Sequence, residues 1–437
     1  MFTLKTASLL LAFAGLARAE IHSLTLQQAL EIAARQNPDV ALARLDQQRA
    51  EEGIKVAQDP FHPHVYAGSG LAYTYGYPNS IEGNAPSLFQ LRTEEALYNR
   101  PKSYQIAAAR EAARGSSYGA QAKADEVAYQ AADLFLTASQ TEHESDTISG
   151  QLPSLQKVVE ATEAAVSEGS QLPLELKRAQ VNLAISQERV GSDRLDQDYY
   201  EMMLAVALGF PATDRVKPLD SDLPSAVAPP SEQEAADLAL RNNRELRQMQ
   251  SNVLAKQMDL RSYKAARLPQ IDLVAQYALF AKYNYTQYFG NKFQSNNFQL
   301  GASITIPLLI GPASHGMAEQ AYTDMAKLRI QMDQVRNRIL TDTRRSYEQW
   351  QKAENIRNLY RMQLDLAREE LTVLLAENGE GRIPMSQVEQ GRLEEGNKWI
   401  ALYDAEAQVT RAKLAILRQM GTLMATVREA GAGTSKP

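Results

Sequence analysis

Between residues 298 and 306 every second side chain is apolar. Phe298, Leu300, Ala302, Ile304 and Ile306 alternate with Gln299, Gly301, Ser303 and Thr305. Successive side chains of a strand point to opposite faces, so this stretch predicts a strand with one apolar face and one polar or small face. Ile271, Leu273, Ala275, Tyr277 and Leu279 repeat the pattern, and Phe89-Gln90-Leu91 mirrors Phe298-Gln299-Leu300. Strands are therefore expected at about 64–77, 87–98, 270–283 and 297–307, with polar, Gly/Asn-rich hairpin tips at 76–86 and about 283–297. Elsewhere the period is that of a helix. Leu26, Ala29, Leu30, Ala33 and Ala34 form one stripe of a helix running from near residue 25 to about 59, interrupted at Pro38. Its counterpart covers about 231–268. Alanine-dense helices follow, from 104 to about 145 (roughly 60 Å at the helical rise) and from 317 to about 376. Helices of that length need partners along their whole course, as in a coiled-coil wall.

These elements occur twice. Arg35, Asn37 and Pro63 return 206 residues later as Arg241, Asn243 and Pro269. Further on the offset is 212: Glu168-Gly169 returns as Glu380-Gly381, and Gly209 as Gly421. Such a period is too long for a solenoid unit and indicates an internal duplication. Repeat 1 covers 20–210 and repeat 2 covers 231–423, joined by a Pro/Asp-rich linker at 211–230 and followed by a tail at 424–437. Gly209 and Gly421 are placed to cap helix C-termini.

Composition narrows the compartment. Residues 1–19 have a basic start at Lys5, a short apolar run and a small-x-small end at Ala17-Arg18-Ala19, the pattern of a secretory leader. Its removal takes away Lys5 and Arg18 but no acid, moving the net charge from −6 to −8. That balance argues against nucleic-acid binding. With no cysteine in 437 residues, disulfides, thiolate metal sites, Cys nucleophiles and a lipid anchor on an N-terminal cysteine are excluded. No apolar run after the leader reaches the roughly 18–20 residues of a spanning helix.

Four strands cannot close into a barrel alone, and an open sheet edge is not tolerated in lipid. Three copies supply twelve strands, an even number suited to an outer-membrane barrel. Tyrosines at the expected strand ends (Tyr73, Tyr75, Tyr77, Tyr283, Tyr285, Tyr288) fit residues at a membrane–water interface. The alternative is a small soluble sheet packed on helices.

The ordered set resembles the TolC-like outer-membrane efflux proteins over nearly the whole mature chain, from Leu24 to about Leu423. The resemblance rests on Asn37-Pro38 in the opening helix, on the helix-to-strand prolines Pro63 and Pro269, and on a duplicated spacing of glycine to small residue, Gly169 to Ala179 and Gly381 to Gly391. It implies a mainly helical trimer in which four strands per chain build a twelve-stranded membrane barrel continuous with an α-helical barrel. It places the protein in the outer membrane, extending into the periplasm. It also implies a periplasmic adaptor and an inner-membrane pump of RND, ABC or MFS type as partners, in tripartite efflux or type I secretion. The turns around Gly169 and Gly381 then form the periplasmic tip, with Leu172, Leu176, Met385 and Val388 as docking residues. Family members often carry a ring of aspartates in the second-copy tip helix. Those places here hold Gln387 and Gln390, with Glu380 and Glu389 nearby on other faces, so these four are the gate candidates. Phe298, Leu300, Ala302 and Ile304 are the expected lipid-facing residues.

No catalytic set is present. G-x-x-x-x-G-K-[ST], G-x-S-x-G and H-E-x-x-H are all missing, and no cofactor is expected. His62-Pro63-His64 and His315 lie near strand ends; a metal site is one reading of them, but without cysteine or a nearby acidic cluster interface histidines are the favoured one, while His22 and His143 stand isolated. Trp350 and Trp399 read as packing residues. The competing functions are a periplasmic adaptor, which calls for a single helical hairpin flanked by small β-domains, a secreted helical structural protein, and a periplasmic hydrolase.

Overall fold

A computed structural model of the chain describes residues 20–70, 87–219, 231–280, 294–309 and 311–426. The expected leader, the expected first hairpin tip, the second tip up to residue 293, the tyrosines of both, most of the expected linker and the end of the tail lie outside these residues. The described elements are β1 (Ile21–Leu24), α1 (Leu26–Gln36), α2 (Pro38–Gln58), β2 (His64–Gly70), β3 (Ser87–Asn99), α3 (Arg100–Ser167), α4 (Pro173–Leu208), β4 (Arg215–Pro218), α5 (Glu232–Asn242), α6 (Arg244–Lys264), β5 (Gln270–Phe280), β6 (Asn296–Thr305), α7 (Pro312–Gly379) and α8 (Met385–Gln419). None of the described helices is long and apolar enough to cross a membrane.

The opening helix is broken at matched places in the two copies. The opening helix stops at Asn37 and restarts at Pro38, where the ring can sit at a helix start but not inside one. The equivalent break between α5 and α6 falls at Asn243 without a proline. A capping box between Thr25 and Gln28 starts α1, and the Ser231 hydroxyl accepts from the Glu234 amide at the start of α5. Both long helices run further than the sequence pattern suggests. α3 and α7 each hold 68 residues, and α3 continues through Pro153. Beyond that proline Leu155 and Val159 remain buried, so packing outweighs the lost backbone bond.

Two spatial units emerge, and each draws on both sequence copies. The first contains residues 1–43, 121–244 and 336–437. Its core gathers Leu30 and Ala33 of α1, Ala128, Ala131 and Phe135 of α3, and Leu204 and Leu208 of α4. The alanines allow close helix approach where larger side chains would hold the axes apart. Arg244 reaches Asp125 on α3 at 2.9 Å. Burial still pushes the Asp125 carboxyl up to about 6, against the pull of the Arg244 and Arg418 charges.

This unit also holds a small parallel pair, β1 with β4, in register Ile21↔Arg215 to Leu24↔Pro218. It corrects the reading of 211–230 as linker throughout, and the count of four strands. Four residues are too few to show alternation, so the pair leaves no periodic trace.

The second unit contains residues 44–120 and 245–335. Val253 and Leu260 of α6 pack on Ala318, Ala321 and Met325 of α7. Gly115 and Gly119 of α3 lie close to α6, where an added Cβ would meet Asn252 Oδ1 at 2.9 Å and Gln248 Nε2 at 2.8 Å. Its antiparallel sheet has the order β2-β3-β5-β6, so β2 and β6 are its edges.

Candidate gate, docking tip and membrane sheet

In the sheet, register decides which side chains share a face. Residues directly opposite across a ladder point the same way. Phe298 lies opposite Tyr277, and Tyr277 opposite Leu91. Leu300 lies opposite Ala275, Ala302 opposite Leu273, and Ile304 opposite Ile271. All belong to one largely apolar face, which Thr93 and Glu95 interrupt. The other face carries Gln299 opposite Gln276, Gln276 opposite Arg92, and Ser303 opposite Asp272. Arg92 and Glu94 form an ion pair on that polar side. Phe298, Leu300 and Ile304 stand about two-thirds exposed in the single chain, at 69%, 65% and 64%. A face this apolar and this open needs a covering in the working protein. His64 contacts Asp59 at 2.8 Å, and among the described residues no group of three His, Asp or Glu is arranged to hold a metal.

The first unit holds two helix-to-helix turns built alike. Gly169 and Gly381 adopt φ of 77° and 73°, a left-handed conformation that glycine takes at little cost. Behind each, the next amide bonds back to the preceding turn: Ser170 to the Ala165 carbonyl at 2.9 Å and Arg382 to the Glu377 carbonyl at 2.9 Å. This is the Schellman closure of a helix end. Side chains reinforce it, with Ser170 Oγ donating to Ala165 and Asn378 Nδ2 donating to Ile383. The next helices then start on Pro173 and just after Pro384. At Gly391 an added Cβ would meet Leu374 Cδ1 at 2.7 Å, so the glycine lets α8 lie tight against α7.

The gate candidates separate. Gln387 and Gln390 are both exposed and, three residues apart, share a face of α8. Glu389 is buried at 3% exposure and takes an ion pair from Arg392 at 3.0 Å. Glu380 pairs with Arg382 at 2.9 Å in the turn itself. Of the docking candidates, Leu172 and Met385 are exposed and Leu176 is partly covered. Val388 has no exposed surface: one residue from the Gln387 face, it turns into the protomer and holds α8 to its neighbours. Leu174, which sequence reasoning passed over, is exposed beside Leu172.

A further pattern escaped sequence reasoning. Leu174, Val181 and Leu195 of α4 lie at multiples of seven residues, with Ile185 and Tyr199 four after the last two, and all five are exposed. On α7 the exposed Leu359, Leu366 and Val373 are seven apart, with Met362 three after the first. Seven-residue spacing is the signature of a helix seam awaiting a partner helix, and it was available in the sequence. The isolated histidines also find contacts. His143 packs at a tilt against Tyr403 with centroids 3.9 Å apart, and His22 stacks on Phe210 at 4.3 Å. Trp350 packs with Tyr347 against Ile416 and Met420, and Trp399 lies under the Arg368 guanidinium.

Comparison with known proteins agrees with this geometry. Residues 235–422 match the family model for outer membrane efflux proteins. A comparison with curated proteins gives no match. Solved structures of outer-membrane channels superpose over most of the chain. CusC, described for its transmembrane channel formation, is 14% identical, with 91% of this chain and 92% of CusC covered at a TM-score of 0.72. The outer-membrane channel OprN is 16% identical, covering 91% and 89% at 0.71. The outer membrane protein VceC of Vibrio cholerae is 13% identical, covering 91% and 96% at 0.70. Residues 235–422 are thus similar to outer membrane efflux proteins, and the chain as a whole has the fold of the solved structures of CusC, OprN and VceC.

Proposed function

We propose that the protein is a passive outer-membrane export duct, the outer component of a tripartite efflux or type I secretion system. The observation that carries this reading is the four-stranded sheet, largely apolar on one face, polar on the other and, among the described residues, unpaired at both edges. Such a sheet is stable in lipid only when closed. Three chains joined β6 to β2 give twelve strands with the apolar face toward lipid and the polar face toward a water-filled lumen. The exposed seams of α4 and α7 supply the matching helical contacts between protomers. Cargo then passes through an interior the protein lines without chemistry, energised by an inner-membrane pump through a periplasmic adaptor. The adaptor's docking surface is the tip, where Leu172, Leu174 and Met385 are exposed around the Gly169 and Gly381 turns.

Assembly is the direct test. Amine cross-linking of the detergent-solubilised protein should trap a three-chain species. A monodisperse monomer in water without detergent overturns the reading, as does a two-chain limit.

The tip is read as the gate, with Gln387 and Gln390 lining the constriction in place of the acids of relatives. An amide ring has no net charge, so trivalent cations added on the tip side should barely reduce the conductance of the channel in a planar bilayer. The double change Gln387→Asp, Gln390→Asp should introduce strong block, because three chains crowd six carboxylates around one axis. Strong block of the unchanged channel would remove the glutamines from this role. Glu389 and Glu380 are poorer ring members, since each already has an arginine partner.

A further inference from the structure

We infer that Asp214 is the receptor for the α-ammonium group created at Glu20 when the leader is removed. The inference is independent of the duct reading and rests on cleavage after Ala19. Asp214 is buried, with 8% of its surface exposed. One carboxylate oxygen, Oδ2, faces His22 Nε2 at 3.4 Å. The other, Oδ1, faces the Glu20 nitrogen at 3.3 Å and accepts from Thr213 Oγ1 at 3.3 Å. Among the described residues no lysine or arginine pairs with it. The two nearest along the chain are engaged elsewhere, Arg215 with Asp198 and Lys217 with Glu142. A buried carboxylate without a full cationic partner is costly, and a cation placed at the Glu20 nitrogen removes that cost.

In the uncleaved chain that nitrogen is a neutral amide with one hydrogen. Hydrolysis by a leader peptidase breaks the bond between the Ala19 carbonyl carbon and the Glu20 nitrogen. Water delivers its hydroxyl to the carbon and its proton to the nitrogen, Ala19 departs as a carboxylate, and the Glu20 amine, taking up the proton this acid releases, becomes an ammonium. No electrons are exchanged. The new charge appears 3.3 Å from Oδ1 without any movement of the backbone. There it turns a weak contact into a charge-assisted hydrogen bond.

The neighbouring ladder makes this a lock. The Arg215 amide donates to the Glu20 carbonyl at 3.0 Å and the Leu219 amide to the Leu24 carbonyl at 2.8 Å, bracketing β1 against β4. Leu24 packs on the core of the first unit, and Thr25 directly after it caps α1. The mature N-terminus is thereby pinned at the point where the core helices begin, and the unprocessed chain lacks that pin.

Four forms of the full secreted chain test this: wild type, a form with one glycine inserted between Ala19 and Glu20, Asp214→Asn, and the combination. Intact mass identifies the first residue of each. The insertion returns the Glu20 nitrogen to an amide and moves the ammonium away by roughly 3.5 Å. It should lower the thermal midpoint by about 2–4 °C in the wild-type background and leave the Asp214→Asn background unchanged. The Glu20 amine should also react with an amine-labelling reagent at least tenfold more slowly in the wild type than in Asp214→Asn, a readout that folding alone does not mimic. An equal effect of the insertion in both backgrounds overturns the inference. So does equal labelling, or a mature chain whose mass shows a first residue other than Glu20; none of these outcomes bears on the conductance test.

Discussion

Alanine at Gly209 should destabilise the folded protein by about 2–5 kcal/mol. Two causes add. Gly209 has φ of 88°, and holding a residue with a Cβ in the left-handed region costs about 1–2 kcal/mol. The added Cβ would also lie 2.6 Å from the Gln36 carbonyl oxygen. That atom belongs to the backbone at the end of α1, so it cannot swing aside, and overpacking of this kind costs about 1–3 kcal/mol. The site is a junction. Asn37 Nδ2 donates to the Ala207 carbonyl at 2.8 Å, so the end of α4 and the break between α1 and α2 hold each other. The second copy repeats it: Gly421 has φ of 66°, its Cβ would fall 2.7 Å from the Asn242 oxygen, and Asn243 Nδ2 donates to the Gln419 carbonyl. Gly421→Ala should therefore behave like Gly209→Ala. Gly169 and Gly381 provide the control, being left-handed with open space where a Cβ would go. Alanine there should cost only the conformational share. Urea unfolding midpoints in detergent rank the four. Equal losses at all four would show that the contact with the α1 and α5 ends contributes nothing.

These glycines explain why the duplication was legible without a structure. Among the described residues, the positive-φ positions are Gly169, Gly209, Gly381 and Gly421, the ones that repeat at an offset of 212. A left-handed helix end admits little but glycine, so the constraint is written as residue identity. Strand periodicity was legible for a similar reason, because the two faces of the sheet carry opposite kinds of side chain on alternate residues. The helix break at Asn37 was legible through Pro38, whereas its counterpart at Asn243 carries no proline and shows only through the repeated asparagine.

What stayed hidden has physical causes too. β1 and β4 hold four residues each and take their stability from two chain segments almost two hundred residues apart, which no local pattern records. At the tip, spacing alone places Gln387 with Gln390 and sets Glu389 on another face. It does not reveal which face meets the rest of the protomer, and that choice buries Val388 and Glu389 while leaving the glutamines outside. Asp214 gave no signal, since its importance lies in the groups around it: His22, Thr213 and the Glu20 nitrogen.

Arginine at Ala302 should cost about 2–4 kcal/mol if the position lies near the bilayer midplane, falling toward 0–1 near an interface. Ala302 sits opposite Leu273, between Leu300 and Ile304 on the apolar face of β6. An arginine there must shed its hydration or snorkel along an edge strand, and no acid stands directly across from it. Ser303, one residue on, sits opposite Asp272 on the polar face. Arginine at that position gains a cross-strand carboxylate, worth about 0.2–1 kcal/mol, and points toward water. The pair differs by a single step along the strand, so propensity and edge effects nearly cancel and the contrast isolates the two faces. Folding of each variant into vesicles, followed through the yield of heat-resistant oligomer, should fall sharply for Ala302→Arg and little for Ser303→Arg. Equal tolerance would mean that the apolar face does not meet lipid. The reverse order would put the lumen on the side of Leu300 and Ile304, and the closed twelve-stranded barrel would have to be rebuilt with its polar face outward.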